Sequence, residues 1–310
     1  MPTQRPRACL GIERQHFIRF CALGLGQAHC KISLMLHMKP VGGYLALDAG
    51  ECRALGRSLA QRYQHAEPFP HIVIDDFLEG EVLKAVLADF PSNENKKYFD
   101  RDQERLKYQF QPHEVSSGLV RNLFAELNSQ AFLGFLEEMT GIEGLISDPY
   151  FEGGGLHETK RGGHLGVHAD FNVHEQLKVE RRLNLLIYLN EKWDDDYGGQ
   201  LELWKKDMSE CAERVSPLFG RAVIFSTDLD SFHGHPDPLA CPPDRSRRSI
   251  ATYYYTALDP ARMPPERTTV FRQRPGSGDR PDRRVALDHF IRDRVPAWLQ
   301  PVARKLNRFR

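Results

Sequence analysis

The spacing of hydrophobic residues changes along the chain, from a helical period in the first half to short segments in the second. Apolar residues three to four positions apart predict amphipathic helices. Three stretches show this spacing: Cys52–Gln64, a stripe from Val82 to Phe90, and Ser117–Met139. Asp76 is a candidate N-cap for the second helix, and Ser116 or Ser117 for the third.

The segments around these helices predict one strand and one loop. His71–Asp75 is a short apolar strand, set up by the prolines before it, and Ser92–Arg105 is a polar loop. From Ile146 onward, short apolar runs between Gly, Pro and Asp predict strands only. These are Pro149–Glu152, His164–Phe171, Arg182–Asn190, Gln200–Trp204, Ala222–Thr227 and Ser249–Thr256.

Helices followed by many short strands indicate an α+β fold with the helices packed on one face of a sandwich or jelly roll. After Leu258, prolines and arginines become frequent. Pro275–Asp282 is predicted to be a flexible loop, and Val285–Val295 a last short helix.

Composition and charge exclude few functions. The 310 residues are 41% hydrophobic and 27% charged, and the formal net charge is zero, so no overall field favours nucleic acid or a membrane. From Ala261 onward, however, 13 Arg and Lys stand against 5 Asp and Glu. This basic tail is either solvated or a contact for an anionic partner.

The cysteines and the hydropathy give expectations about location. Six scattered cysteines without a C-x-x-C pair predict reduced thiols in a cytoplasmic protein. No apolar run is long enough to predict a membrane span. Residues 1–37 have a weak similarity to a targeting peptide, but their apolar stretch is interrupted by charged residues and histidines. No fold is predicted for them.

A possible metal site begins at His168 and Asp170. In a strand, residues two apart project from the same face, so these two side chains are expected to lie together. Two histidines and one carboxylate are the ligands typical of non-haem iron(II) with open positions for substrate and oxygen. For the second histidine the sequence offers His233 and His235, of which we favour His233 because it directly follows an aromatic residue after the strand Ala222–Thr227 and its loop.

Arg247 and Ser249 are also two apart on a predicted strand. A guanidinium and a hydroxyl on one face can receive a carboxylate. An arginine-rich turn before an edge strand would explain them equally if they stood alone. After a metal site, they are the expected anchor for an acidic cosubstrate bound to that metal.

These residues make the chain resemble the 2-oxoglutarate- and Fe(II)-dependent dioxygenases, particularly the prolyl 4-hydroxylase-like branch that includes the hypoxia-sensor type prolyl hydroxylases. The resemblance covers about Pro68 to Leu258. Its strongest stretches are His168–Asp170, Leu186–Trp193 with Gly198–Leu201, and Arg247–Tyr255. It implies a double-stranded β-helix (a cupin-like jelly roll) whose Fe(II) is held by His168, Asp170 and His233.

The resemblance also implies how a cosubstrate is bound. Tyr188 would join Arg247 and Ser249 in holding the far carboxylate of 2-oxoglutarate. A purely structural role for Tyr188 in the core is an equally weighted alternative. O2 would be the oxidant and ascorbate the reductant. Asp170 favours hydroxylation over the sister halogenation reaction, in which a small residue replaces this acid.

The implied function is hydroxylation of prolyl or similar residues of a protein, with release of succinate and CO2. The alternatives are the same chemistry on a small molecule, such as a free amino acid or biosynthetic intermediate, a nucleic-acid demethylase, and a non-catalytic metal-binding jelly roll. A nucleic-acid substrate is disfavoured because the core shows no basic patch interleaved with aromatics.

The chain is divided accordingly into three regions. We expect an N-terminal extension at 1–66, the dioxygenase domain at 67–260, and a basic tail with a short helix at 261–310. The histidines at positions 164 and 174 are predicted to be solvated loop residues, with a position at the mouth of the site as the alternative. Mouth or substrate positions are considered for His157, Arg161 and Arg181, but no role is assigned to them.

Overall fold

The computed structural model describes residues 34–91, 97–259, 261 and 266–280, and isolated positions between 287 and 300. Residues 1–33 of the expected extension therefore lie outside the described residues, as do most of the predicted helix Val285–Val295 and half of the basic tail. Within the described part, we find no helix with the length and apolar character needed to cross a membrane.

Four helices lie between Ala49 and Thr140, in the part of the chain where the apolar spacing predicts helices. The predicted block Ser117–Met139 is two helices, because Asn128 ends the first and the Ser129 side chain caps the second. Ser117 caps the first of these two helices, as predicted. Asp76 is not the cap of the helix after it, which begins only at Gly80. The helices are α1 Ala49–Gln64, α2 Gly80–Ala88, α3 Gly118–Leu127 and α4 Gln130–Thr140.

The strands form a small hairpin and one large antiparallel sheet. The hairpin consists of β1 Met38–Val41 and β2 Tyr44–Leu47. The sheet contains β3 His71–Ile74, β4 Lys97–Arg101, β5 Glu104–Phe110, β6 Ile146–Ser147, β7 Gly155–Ala169, β8 Val179–Tyr188, β9 Leu201–Trp204, β10 Cys211–Val215, β11 Ala222–Ser226, β12 His233–His235, β13 Ser246–Ala257 and β14 Val270–Phe271. Its main path runs β10-β9-β12-β7-β13-β8-β11-β3.

Two of the predicted segments are wrong. Pro149–Glu152 is a turn and not a strand, because the Asp148 carboxylate accepts hydrogen bonds from the backbone N–H groups of Tyr150 and Glu152. The predicted loop Ser92–Arg105 contains β4 and the start of β5, which form a hairpin along β7. Strands β10 and β12 were not predicted either.

The long strand β7 gives the sheet its jelly-roll form. Its first half, Gly155–Lys160, pairs with β13, and its second half pairs with β12 at Leu165 and His168. Gly162, with φ +77°, lies between the two halves. The strand thereby passes from one layer to the other, and the sheet folds into a nearly closed barrel. The predicted double-stranded β-helix is confirmed.

Side-chain alternation on β8 separates two cores. Leu183, Leu185 and Ile187 pack in a large core with the helices, while Leu186 and Tyr188 pack on the inner side with the barrel residues. The helices therefore cover one face of the sheet, as predicted. Part of the expected N-terminal extension shares the large core, since Leu36 and Leu59 are buried in it.

Candidate active site

Two neighbouring strands bring the predicted metal-binding residues together. His168 lies near the end of β7, Asp170 directly follows that strand, and His233 on β12 is paired across from His168. Strand β12 can approach β7 this closely because residue 234 is glycine. A Cβ atom there would lie 2.7 Å from the carbonyl oxygen of Gly166, closer than real Cβ contacts come.

The ligand atoms of these three residues face one another. They all lie within 4.8 Å of each other. His168 Nε2 is 3.4 Å from Asp170 Oδ1, and His233 Nε2 is 3.5 Å from Asp170 Oδ2. The alternative ligand His235 is not in this group. The arrangement thus presents two imidazoles and one carboxylate at a single point.

The protonation of the two imidazoles fits a metal ion. His168 Nδ1 lies 2.9 Å from the Gly166 carbonyl oxygen, and His233 Nδ1 lies 3.0 Å from that of Ser231. Both Nδ1 atoms therefore carry the hydrogen, and both Nε2 lone pairs point to the carboxylate. Burial, followed by the neighbouring His168, lowers the pKa of His233 to about 4, so this ring is neutral. Lone pairs facing a carboxylate repel it unless a cation lies between them, so the donor set fits a divalent metal.

Asn184 and Arg181 both contact the Asp170 carboxylate. Neither residue is assigned a role from the sequence. Asn184 Nδ2 donates to Asp170 Oδ2 at 2.8 Å, and Arg181 Nη2 lies 3.2 Å from the same oxygen. Burial opposes ionisation of Asp170, but the Arg181 charge holds the pKa of its carboxyl well below the usual range. One carboxylate oxygen is thereby occupied by two donors, and Oδ1 is left for the metal.

Arg181 itself is fixed on several sides. Its Nε and Nη2 both donate to Asn184 Oδ1, at 2.9 and 2.7 Å. Its guanidinium carbon lies 3.5 Å from the centroid of the Tyr253 ring and 4.6 Å from that of Phe171. Stacking of this kind keeps a planar cation in one orientation. Arg181 is thus a rigid support for the carboxylate.

We expect Arg181→Met to weaken divalent metal binding by about ten to a hundredfold, the effect typical of removing a partner that orients a metal ligand. Titration of the metal-free protein with Mn(II), followed by calorimetry, measures this affinity. Arg182→Met is the matched control, because that neighbouring side chain reaches Thr256 and not Asp170. Equal Mn(II) affinity in the two variants would contradict the supporting role.

A cavity of about 280 Å³ opens beside the three ligand residues, and Arg247 and Ser249 line it. Arg247 is only 6% exposed. Its Nε donates to the Gly199 carbonyl oxygen at 2.8 Å and its Nη2 to the Tyr188 hydroxyl at 3.3 Å. Among the described residues, no carboxylate pairs with this guanidinium. A buried cation without a counter-ion is suited to receive an anion.

Gly199 makes room for this arginine. A Cβ atom at this position would lie 2.9 Å from Arg247 Cδ, and its φ of +77° also favours glycine. Tyr188 is fully buried and pairs across from Ser249 on β13. It is not among the residues that line the cavity, so it contacts Arg247 from behind. Tyr188 is therefore both a core residue and a hydrogen-bond partner of the candidate anion receptor.

Other parts of the chain also reach the cavity. Thr269 and Phe271 line it from the segment that follows β13, with the Phe271 ring 5.4 Å from that of His168. His157 lines the cavity and lies 3.0 Å from the Gly153 carbonyl oxygen. Arg161 is exposed and bonds to the Cys241 carbonyl oxygen away from the cavity.

The predictions for His164 and His174 as solvated loop residues are wrong. His174 is fully buried, with Nε2 3.1 Å from Asp148 Oδ1, because its loop folds back onto the turn that Asp148 forms. His164 lies within β7, is partly buried, and bonds to the Asp102 carbonyl oxygen. Neither contributes to the site.

Comparisons with known proteins point to the same chemistry. Residues 154–255 match the family model described as the 2OG-Fe(II) oxygenase superfamily. Prolyl 3-hydroxylase OGFOD1 of Mus musculus is 26% identical over 199 residues, which are 61% of this chain and 33% of that protein. The chain thus spans about a third of the length of this relative.

Solved structures of prolyl hydroxylases are also similar. A prolyl-4-hydroxylase of Pseudomonas putida is 16% identical with a TM-score of 0.47, over 66% of this chain and 100% of that one. A prolyl hydroxylase from Trichoplax adhaerens, in complex with a hypoxia inducible factor peptide fragment, is 17% identical with a TM-score of 0.49, over 66% and 91%. The segment that matches this family model, residues 154–255, contains His168, Asp170, His233 and Arg247.

Proposed function

We propose that this protein is a 2-oxoglutarate- and Fe(II)-dependent dioxygenase that hydroxylates prolyl residues of a protein or peptide, with release of succinate and CO2. One observation carries the proposal. The buried Arg247, which has no counter-ion among the described residues, lines the same cavity as the His168, Asp170 and His233 ligand set. A metal-binding jelly roll without catalysis would have no need of such an anion receptor.

The residues of the chain would act by binding and orienting. His168, Asp170 and His233 would hold the metal through Nε2, Oδ1 and Nε2. Arg247 and Ser249 would receive the far carboxylate of 2-oxoglutarate, and Tyr188 would keep the guanidinium in place. When bound, Fe(II), 2-oxoglutarate and O2 supply the oxidising chemistry that inserts oxygen into a C–H bond.

The proposal of a prolyl substrate is supported by the names of similar proteins more than by the shape of the cavity. The mouse relative is named a prolyl 3-hydroxylase, and the Trichoplax structure holds a peptide fragment. Aromatic and charged side chains line the cavity as well, among them Phe99, Arg101 and Phe271. A cytoplasmic location and ascorbate as reductant complete the proposal.

The test combines two measurements on the full chain supplied with Fe(II), 2-oxoglutarate, ascorbate and air. Succinate formation reports the class of reaction, and mass spectrometry of a cell extract reports prolyl residues heavier by one oxygen atom. We expect both for the wild type and neither for His168→Ala. Absence of succinate together with absence of metal-dependent 2-oxoglutarate binding would refute the class. Oxygen found only on small molecules would refute the prolyl substrate.

A further inference from the structure

His235 is a buried polar residue in the same cavity for which the metal set gives no role. It stands two residues after His233, is 3% exposed, and lines the cavity together with Arg247. It is not one of the three clustered ligand residues. Its Nδ1 is sealed from solvent and has no hydrogen-bond partner among the described residues.

The unpartnered Nδ1 indicates which ring nitrogen carries the hydrogen. An N–H group buried without an acceptor is rarer and more unfavourable than an acceptor left unpaired. The hydrogen of a neutral ring is therefore expected on Nε2, with a bare lone pair on the sealed Nδ1. A protonated ring would place an N–H group on the sealed Nδ1 as well, where it would have no acceptor among the described residues, so the ring is expected to be neutral. His235 thus offers one neutral donor.

We propose that His235 is a further positioning residue for the cosubstrate, whose Nε2–H donates to the carboxylate that Arg247 receives. This inference rests on the proposed function, because it requires 2-oxoglutarate in the cavity. A neutral donor suits this place. It adds a hydrogen bond to the carboxylate without adding a second positive charge beside the buried guanidinium.

The experiment measures 2-oxoglutarate affinity by calorimetry on Mn(II)-loaded full-length protein, so that no turnover is needed. We expect His235→Val to weaken 2-oxoglutarate binding by about ten to a hundredfold, the range for a hydrogen bond to a charged group. His235→Gln should restore most of the affinity, because its amide N–H can occupy the position of Nε2–H. The affinity for Mn(II) should be unchanged in both variants.

A second ligand shows which end of the cosubstrate His235 contacts. 2-Oxopentanoate has the same carbon chain as 2-oxoglutarate but lacks the far carboxylate. We therefore expect it to bind more weakly than 2-oxoglutarate, and to bind the wild type and His235→Val with equal affinity. An equal loss for both ligands would overturn the contact with the far carboxylate. Unchanged 2-oxoglutarate affinity in His235→Val, or a loss of Mn(II) binding, would overturn the positioning role.

Failure of this inference can be told from failure of the proposed function. If the wild type loaded with Mn(II) binds no 2-oxoglutarate, both fall. If the wild type binds it and His235→Val binds it equally well, only the role of His235 falls.

Discussion

Asp170→Ala is expected to abolish divalent metal binding and also to destabilise the metal-free protein. The first effect follows because the variant lacks the only carboxylate of the three clustered ligand residues. The second follows because Arg181, 3% exposed, would lose the carboxylate 3.2 Å from its Nη2. Breaking a buried ion pair by removing one partner lowers the free energy of unfolding by about 3–5 kcal/mol.

His168→Ala separates the two effects. This variant should lose metal binding as well, but it leaves no charge unpaired, since within the described part of the chain the His168 ring bonds to a backbone carbonyl and to the other metal-ligand residues. Urea unfolding of the metal-free proteins should therefore rank wild type and His168→Ala above Asp170→Ala. Equal unfolding free energies for the two variants would show that Arg181 does not depend on Asp170.

The periodicity of strands predicted much of this site. His168 with Asp170, and Arg247 with Ser249, are pairs two residues apart, and each pair does line one cavity. Helix positions were also readable, because apolar spacing reflects the large core directly. Strand alternation and helical spacing are both local patterns, so a short stretch of sequence is enough to recognise them.

The support of Asp170 was not predictable in this way. Arg181 and Asn184 are three apart, which in a regular strand places them on opposite faces. The pairing shifts between Leu183 opposite Tyr254 and Arg181 opposite Tyr255, and this bulge turns both side chains toward Asp170. A bulge depends on the partner strand, which the local pattern does not report.

Residues that reach the site from distant parts of the chain were missed for a similar reason. Strands β4 and β5 are too polar to predict, yet Phe99 and Glu104 on them line the cavity. Phe271 belongs to a segment that reads as proline- and arginine-rich loop, but it pairs with β7 at His168. Only long-range packing places these side chains.

Arg247→Met is expected to weaken 2-oxoglutarate binding by at least about a hundredfold while Mn(II) affinity stays unchanged. The guanidinium is the cation that would neutralise the far carboxylate, and truncating one partner of a buried charged contact typically removes about 2–5 kcal/mol. Methionine has a similar length and fills the space, so the barrel core is preserved. Calorimetry with each ligand in turn measures the two affinities.

Stability gives an independent readout of the same variant. Without ligand, Arg247 is a buried cation with no counter-ion among the described residues, and burial lowers its pKa. Methionine removes this unfavourable charge, so the metal-free variant should melt at the wild-type temperature or above it. Saturating 2-oxoglutarate with Mn(II) should raise the melting temperature of the wild type well above that of the variant. Arg247→Lys, which keeps the charge but loses the planar fork, should lie between the two in affinity. If Arg247→Met is instead stabilised by 2-oxoglutarate as strongly as the wild type, the carboxylate binds elsewhere, and the anion receptor has been misidentified.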